Sequence, residues 1–348
     1  MKHFLFIFSV CFFIQEGISQ DISAEQREKN TLRICFYNLE NYFDYENNPH
    51  KNDDDFTPEG SYHWTKTRFE NKAKNIAKVF VAMGQWELPE IIGVCEIENE
   101  TAIRYLLYNT SLSAGKYNYV FYESPDRRGI NVALFYRSDK FKVINSYPIS
   151  LLDSLRPLSK PRDILYVKGV WVAHCADTIH LFVNHWTSRY GGKAATVDRR
   201  NYAAKILRVK IDSLLLLNAN MRILVMGDFN DYPYDESITT YLRAYDTTHY
   251  KNGNLINTMF PYFHKNNVGT NKYQQKWGIL DQIIISSALY YAKNGLRIQT
   301  TGTIFSADFL LEDDTKYMGK KPLRTYSGRK YIGGFSDHLP VYIDLKCD

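Results

Sequence analysis

The segment Ile223-Leu224-Val225-Met226-Gly227-Asp228-Phe229-Asn230 carries the pattern that decides the fold prediction. Its first four residues are apolar and suit a buried β-strand, and the strand ends on the polar residues Asp228 and Asn230. One such residue at a strand end is usually a turn former or a helix cap. The same pattern recurs at other strand ends along the chain, so these polar residues need a shared explanation.

Asn, Asp, Glu or His side chains mark the other strand ends. They are Asn38 and Glu40 after residues 34–37, Glu96 and Glu98 after 91–95, His185 after 181–184, Asp281 between 278–280 and 282–285, and Asp337 and His338 before 341–345. Because the ends of adjacent strands lie together at one rim of a sheet, we expect these side chains to converge. Carboxylates without cysteine partners suit Mg²⁺ or Mn²⁺, and an Asp–His pair can stabilise a protonated imidazole. Asn donors can stabilise developing negative charge, so the set is typical of metal-assisted phosphate ester hydrolysis.

Short strand-like runs recur from residue 32 to residue 345, and amphipathic helices are predicted at about 67–83 and 195–217. No repeat or Pro/Ser-rich linker separates two halves of the 348-residue chain. This organisation predicts stacked sheets flanked by helices in a single domain, residues 21–348.

The composition excludes several classes of protein. With 45% hydrophobic and 23% charged residues the chain can bury a large core, and five cysteines are too few for a disulfide framework. The sequence also lacks the Gly-x-Ser-x-Gly, His-Glu-x-x-His, nucleotide-loop and Gly-x-Gly-x-x-Gly motifs, which argues against the corresponding enzyme classes. The net charge of +5 suits an anionic partner without demonstrating one.

Residues 1–20 are predicted to be a secretory signal peptide, with a short positive start, an apolar run at 4–14 and small residues near position 19. The run is too short to span a bilayer, and no later segment is long and apolar enough to do so. A lipid anchor at Cys11 is the less favoured alternative. We therefore expect an exported protein, periplasmic or extracellular, in which a bridge between Cys175 and Cys347 is possible but not decided by the sequence.

Two further groups of residues have competing interpretations. Asp53-Asp54-Asp55 is compatible with calcium binding, but a solvated acidic loop is the preferred interpretation. His174 and His180 match no common zinc spacing and are interpreted as surface histidines of a hairpin.

Seven motifs occur in an order that matches a known family. They are 36–41 (FYNLEN), 93–98 (GVCEIE), 128–134 (RGINVAL), 183–186 (VNHW), 227–230 (GDFN), 279–283 (ILDQI) and 336–340 (SDHLP). From about residue 31 onward the chain resembles the endonuclease/exonuclease/phosphatase superfamily, and specifically an exported bacterial-type member. The resemblance implies the DNase I-like fold, an α+β four-layer αββα sandwich of two packed mixed β-sheets flanked by helices. It also implies a divalent metal at one rim of the sandwich.

The resemblance implies a metal site and gives its ligands. Glu96 matches the principal metal ligand, and Asn38 matches its neighbour on the metal or the phosphate. Glu40 is a weaker ligand candidate, and Asp337 could assist the metal. The cofactor implied is Mg²⁺ or Mn²⁺.

The resemblance also assigns catalytic roles. Asp228 matches the group that orients or deprotonates the attacking water, and Asn230 a hydrogen-bond donor to the phosphate. His338 would contact the scissile phosphate, with Asp281 orienting it. His185 matches a second active-site histidine that stabilises the phosphate or protonates the leaving oxygen.

Basic residues near these motifs suggest the substrate. Segment 189–210 holds seven basic residues and one acidic residue, although most of its helical members are interpreted as a solvated face. Arg189 and Lys193, which follow His185 closely, and Arg128 are the candidates for phosphate contact. We predict a nuclease acting on DNA or RNA, as a monomer. The alternative is a phosphatase or phospholipase of the inositol phosphate or sphingomyelin type, acting on a phospholipid or small phosphate ester.

Overall fold

The computed structural model describes residues 30–85, 87–155, 160–173, 175–249, 251, 253–263 and 265–347. The predicted signal peptide at 1–20 and the histidine at position 174 lie outside the described residues. Among the helices that are described, none is long and apolar enough to cross a membrane.

The described part of the chain is dominated by strands. These are β1 (Thr31–Tyr42), β2 (Ile91–Ile97), β3 (Tyr117–Phe121), β4 (Asn131–Arg137), β5 (Phe141–Ile149), β6 (Ile164–Trp171), β7 (Asp177–His185), β8 (Ile223–Asp228), β9 (Ala244–Tyr245), β10 (Leu255–Asn257), β11 (Asn271–Tyr273), β12 (Lys276–Gly278), β13 (Asp281–Ser286), β14 (Arg297–Ile298), β15 (Thr303–Ile304), β16 (Leu311–Asp313), β17 (Lys320–Pro322), β18 (Tyr326–Ser327), β19 (Lys330–Tyr331) and β20 (Val341–Lys346).

Helices lie between the strands. The α-helices are α1 (Lys66–Gly84), α2 (Glu100–Tyr108), α3 (Lys193–Leu217) and α4 (Ser287–Tyr290). Short 3-10 helices occur at Asp54–Phe56, Ser111–Gly115, Phe260–Tyr262 and Asp308–Leu310, and a π-helical turn occurs at Ser237–Tyr241. The two long helices predicted from the hydrophobic spacing are thus confirmed as α1 and α3.

Two seven-stranded sheets form the centre of the fold. The first has the order β14-β20-β1-β2-β4-β3, with β15 also paired to β20, and the second has the order β5-β6-β7-β8-β13-β10-β9. Both sheets are mixed: β1 and β2 run parallel, as do β7 and β8, while most other neighbours are antiparallel. The predicted fold class, an α+β sandwich of two mixed sheets flanked by helices, is confirmed.

The sheets pack face to face, with helices on the outside. At the interface, β2 and β8 approach so closely that a Cβ added to Gly93 would lie 2.7 Å from Sδ of Met226. On the outer face of the first sheet, Phe80 of α1 meets Tyr37 edge to face, with ring centroids 6.0 Å apart. On the outer face of the second sheet, Leu207 of α3 joins a separate buried cluster. These contacts complete four layers.

A disulfide joins the two sheets. Cys175, just before β7, is bonded to Cys347, just after β20, with Cα atoms 6.0 Å apart. The bridge that the sequence left open is therefore present. Cys35 and Cys95 take no part in this disulfide and are buried in the first sheet.

Candidate active site

The ends of β1 and β2 are bent by bulges that turn polar side chains toward the rim. Register shifts occur between Asn38 and Tyr42 in β1 and between Cys95 and Ile97 in β2. Glu96 has φ 59°, which is left-handed backbone that a glutamate seldom adopts. Bulges of this kind re-aim a side chain next to an active site.

Glu96, Asn38 and Asp228 form the first part of a cluster at this rim. The Asn38 amide nitrogen donates to Oε1 of Glu96 at 3.3 Å and to Oδ2 of Asp228 at 3.1 Å. Oδ1 of Asn38 accepts from the backbone N–H of Glu40, so the amide nitrogen is the atom that faces the carboxylates. The backbone N–H of Asn41 holds the other oxygen of Glu96 at 2.8 Å.

His338 and Asp281 form the second part. Nδ1 of His338 lies 2.7 Å from Oδ2 of Asp281, and Nε2 lies 3.9 Å from Oδ2 of Asp228. Burial alone would lower the pKa of His338, but the Asp281 and Asp228 carboxylates outweigh it and hold that pKa well above its usual value. The imidazole is therefore cationic at neutral pH and fixed in orientation by Asp281.

Asp228 has the electrostatics of a proton acceptor that works near neutral pH. Burial raises the pKa of Asp228 to about 6, against the opposing effect of His338. One of its oxygens accepts from the backbone N–H of Asn230 at 2.9 Å, and the other faces Asn38. A general base is most effective when its pKa lies near the working pH.

His185 completes the convergence from the end of β7. Its Nε2 lies 3.6 Å from Oε1 of Glu96 and 3.7 Å from Oδ2 of Asp228. Burial, reinforced by the charges of Arg162 and Arg128, lowers the pKa of His185 well below its usual value. Its imidazole is therefore neutral, in contrast to that of His338, so the two histidines have different protonation states in one site.

Asn230 lies at the same rim but its amide is already engaged. Its Nδ2 donates to the backbone carbonyl of Trp186 at 3.1 Å, and its backbone has φ 49°. One amide hydrogen remains for a phosphate, so the predicted role as a donor stays a prediction.

Glu40 and Asp337 are directed to cationic partners. Oε1 of Glu40 accepts from Arg324 at 2.9 Å, Oε2 accepts from the N–H of Thr325 at 2.7 Å, and Lys72 lies 3.8 Å away. Oδ2 of Asp337 also pairs with Arg324, at 3.1 Å. Either carboxylate would have to leave these partners in order to bind a metal, so their predicted roles stay predictions.

The three basic residues predicted to contact substrate have different surroundings. Arg189 pairs with Asp231 and Asp235, at 3.0 and 2.5 Å, and Lys193 pairs with Asp235 at 2.6 Å. Their charge is thus largely neutralised by a part of the chain that the local sequence count did not include. Arg128 has a half-exposed side chain, 3.8 Å from Asp126, and remains the most available of the three.

Two arginines at the rim were missed by the sequence analysis. Arg162 is buried and donates to the backbone carbonyls of His185 and Trp186, at 3.0 and 2.7 Å. Arg324 is 44% exposed and links Glu40 to Asp337 beside His338. Neither lies in a recognisable motif, and their contacts come from distant parts of the chain, so no local signal pointed to them.

The donor set fits a divalent metal ion. Carboxylate oxygens of Asp228 and Asp281 lie within 4.8 Å of each other, beside the ring of His338, which is protonated and therefore not itself a ligand. Oδ1 of Asp281 is buried and has no hydrogen-bond partner in the part of the chain that the structure describes. Carboxylate oxygens from Glu96 and Asp228 lie on either side of the Asn38 amide, and such oxygens are ligands that Mg²⁺ and Mn²⁺ prefer.

Comparison with known proteins gives one family. The model of the Endonuclease/Exonuclease/phosphatase family matches residues 33–347, whereas no curated protein matches the chain significantly. An endonuclease/exonuclease/phosphatase family protein from Bacteroides thetaiotaomicron is similar in structure, with TM-score 0.56 and 17% identity over 91% of this chain and 98% of that one. A humanized D. rerio TDP2 gives TM-score 0.54 and 13% identity over 91% and 99% of the two chains. A mannosyl-6-phosphatase from Bacteroides thetaiotaomicron gives 0.54 and 16% over 90% and 99%. At these identities the solved structures show a shared fold.

Proposed function

The chain belongs to the endonuclease/exonuclease/phosphatase family of phosphoric ester hydrolases, and on that premise we propose that it is a nuclease. In this proposal it cleaves phosphodiester bonds of DNA or RNA with Mg²⁺ or Mn²⁺, is exported, and acts as a monomer. The observation that carries the proposal is the rim cluster, in which a cationic His338 and a carboxylate with a pKa near 6 face each other.

The chain's own residues provide for water attack on phosphorus. Asp228 is placed to orient the attacking water and accept its proton, because its carboxylate is buried and oriented by Asn230. The Nε2 proton of His338 is placed to stabilise negative charge developing on the phosphate, with Asp281 holding the ring. Asn38 positions Glu96 and Asp228 relative to each other. When bound beside Glu96, the metal ion supplies Lewis acidity toward a phosphoryl oxygen.

A cleft beside the rim supports a nucleic acid as the substrate. It has a volume of about 530 Å³ and is walled by five aromatic side chains and two lysines: Tyr232, Tyr234, Tyr262, Phe263, Trp277, Lys265 and Lys276. One wall is the β11–β12 hairpin, which is held to the rim because Asn271 donates to the backbone carbonyl of Asp337 at 3.0 Å. Aromatic rings can stack on the bases of a nucleic acid, and lysines can pair with its phosphates.

A phosphatase acting on a small phosphate ester is the second candidate. The observation that favours it is the neutralisation of Arg189 and Lys193 by Asp231 and Asp235, which weakens the field that a long polyanion would meet. A fold alone does not select between these substrates, because the rim loops set them.

A substrate panel tests the proposal. The purified protein with Mg²⁺ or Mn²⁺ should cleave plasmid DNA or RNA. Its apparent affinity for the nucleic acid should fall steeply as the salt concentration increases. Asp228→Ala and His338→Ala should each abolish turnover while the circular dichroism spectrum is retained. Cleavage of phosphomonoesters alone, without salt dependence, would establish the phosphatase instead.

Export has its own test. The Cys175–Cys347 disulfide supports export, since such bonds persist in oxidising compartments. We expect the mature protein to begin near residue 21, and intact-mass measurement of protein recovered outside the cytoplasm checks this. A mass that includes residues 1–20 or a lipid at Cys11 would contradict it.

A further inference from the structure

Three carboxylates are buried together beyond the ends of β1 and β2. Asp44 and Asp53 lie in the loop after β1, and Glu98 is the first residue after β2, with exposed fractions of 6%, 2% and 4%. The sequence alone favours a solvated acidic loop at 53–55. That interpretation is wrong for Asp53, which is buried, and correct for its exposed neighbours Asp54 and Asp55.

Hydrogen bonds satisfy both carboxylate oxygens of Asp44 but only one of the two carboxylate oxygens of Glu98. Oε2 of Glu98 accepts from the backbone N–H of Asp44 at 2.8 Å. The two oxygens of Asp44 accept from the N–H of Glu46 and the side-chain amide of Asn99, at 2.8 and 2.9 Å. Oε1 of Glu98 is buried and has no hydrogen-bond partner within the described residues.

Asp53 also has one carboxylate oxygen that is hydrogen-bonded and one that is not, and its carboxyl faces that of Glu98. Its Oδ2 accepts from the N–H of Asn48 at 2.9 Å, and its Oδ1 is buried without a partner among the residues described. The Asp53 carboxyl lies within hydrogen-bonding reach of the Glu98 carboxyl. The two buried carboxyls therefore lie side by side, each with one unsatisfied oxygen, and neither can donate to the other while both are ionised.

No protein cation compensates this charge within the described part of the chain. None of the ion pairs there includes Asp44, Asp53 or Glu98, while Nζ of the nearby Lys51 donates to the backbone carbonyls of Ser124 and Asp126 instead. Buried carboxylates normally pair with a cation or coordinate a metal. A single shared proton would neutralise one of three negative charges, whereas a divalent ion would neutralise two.

We propose that Asp53 and Glu98 bind a Ca²⁺ ion through these two oxygens, at a site separate from the rim cluster. Calcium accepts six to eight oxygen ligands in flexible geometry and takes backbone carbonyls and waters besides carboxylates, which suits a site formed by a loop. Magnesium demands near-ideal octahedral geometry, which suits this loop less well. The ion would fasten the loop after β1 to the end of β2, two residues from Glu96, so its role is structural.

Thermal unfolding with CaCl₂ as the probe tests this site. The full chain, stripped with chelator and held at saturating Mg²⁺, should show a Tm about 5 °C higher when Ca²⁺ is added well above its Kd. Asp53→Asn should abolish the shift and lower the number of Ca²⁺ ions bound in calorimetry by one. Asp54→Asn is the matched control, because Asp54 is exposed in the same acidic run, and it should keep the full shift.

The same measurements decide against the site if the results differ. Wild-type protein whose Tm is unmoved by Ca²⁺, or an Asp53→Asn variant that keeps the shift, would overturn the proposal. Higher stability of Asp53→Asn in the absence of Ca²⁺, together with an unresponsive wild type, would indicate a shared proton. If Asp53→Asn fails to fold, Glu98→Gln provides the equivalent comparison. The same variants are also measured in the Glu96→Gln background. This keeps Ca²⁺ bound at the rim cluster from contributing to the Tm shift or to the number of ions bound.

Discussion

At the scale of single residues, His338 and Asp281 form the pair on which the site's charge depends. The carboxylate fixes Nδ1 of the imidazole at 2.7 Å and keeps the ring protonated, which leaves Nε2 to face the phosphate in the proposed mechanism. Asp281 is fully buried, so in the proposed mechanism it acts through His338 rather than on the substrate. It is therefore a positioning residue.

The Asp281→Asn variant isolates this effect. We expect kcat to fall by about 100-fold or more, because the amide neither stabilises the imidazolium nor fixes its tautomer. The basic limb of the pH–rate profile should also move to lower pH, since the pKa of His338 loses its main supporting charge. An unchanged profile with a lower rate would mean that Asp281 only supports the fold.

His180 offers a second residue-scale prediction, outside the site. It was predicted to be at the surface, but it is 2% exposed, and its Nδ1 lies 2.8 Å from the Tyr166 hydroxyl. Every residue of β7 from Ile179 to His185 is buried, so His180 is covered although its side chain is polar. Burial, with the charges of Lys168 and Lys210, lowers the pKa of His180 to about 4.

The lowered pKa makes stability depend on pH with a definite sign. Below about pH 6.5 the unfolded chain binds a proton at His180 that the folded chain does not, so stability should fall between pH 6.5 and 4 by about 3 kcal/mol. Above pH 6.5 this residue has no such effect. Urea unfolding between pH 4 and 6.5 should show a smaller change of the free energy of unfolding with pH for His180→Gln than for wild type. The control variant His50→Gln, at an exposed position, should match wild type.

At the scale of elements, the sequence predicts those features that repeat locally. Helices α1 and α3 follow from apolar spacing, and the rim residues follow from polar side chains at strand ends. The pairing of Arg189 with Asp231 and Asp235, 42 and 46 residues away, leaves no such pattern. The charge count over 189–210 therefore overstated the free positive charge near the rim, because it counted one side of each ion pair.

The close approach of β2 and β8 gives an element-scale prediction. Gly93→Ala should lower the free energy of unfolding by about 1–3 kcal/mol, because the added methyl lies 2.7 Å from Sδ of Met226. In a Met226→Ala background the same change should cost much less, since the space is then open. Chemical denaturation of wild type, the two single variants and the double variant measures the coupling between the two positions. An equal loss of unfolding free energy in both backgrounds would refute this contact.

At the scale of the whole molecule, the disulfide lies at the end of the sandwich opposite the rim. Cys347 follows the strand residue that pairs with Thr31, at the start of β1, whereas Asn38 lies toward the other end of that strand. Cys175 likewise precedes β7, which ends at His185. The bridge thus stabilises the pairing of the sheets without touching the rim cluster.

Removing the bridge should therefore affect stability and leave catalysis intact. A Cys175→Ser/Cys347→Ser variant should lose up to about 5 kcal/mol of stability, because the bond closes a loop spanning 172 positions. At a temperature where the variant is folded, kcat/KM should equal that of wild type. A large loss of activity in the folded variant would mean that the sheets shift relative to each other.

The metal requirement of the rim tests the central claim most directly. Turnover measured during a Mg²⁺ titration should vanish in chelator and return with metal. Glu96→Gln should need at least about 10-fold more Mg²⁺ for half-maximal activity, because the variant loses a charged ligand. The exposed-site control Glu123→Gln should behave as wild type. Turnover without metal, or an unchanged Mg²⁺ requirement in Glu96→Gln, would contradict hydrolysis at this cluster.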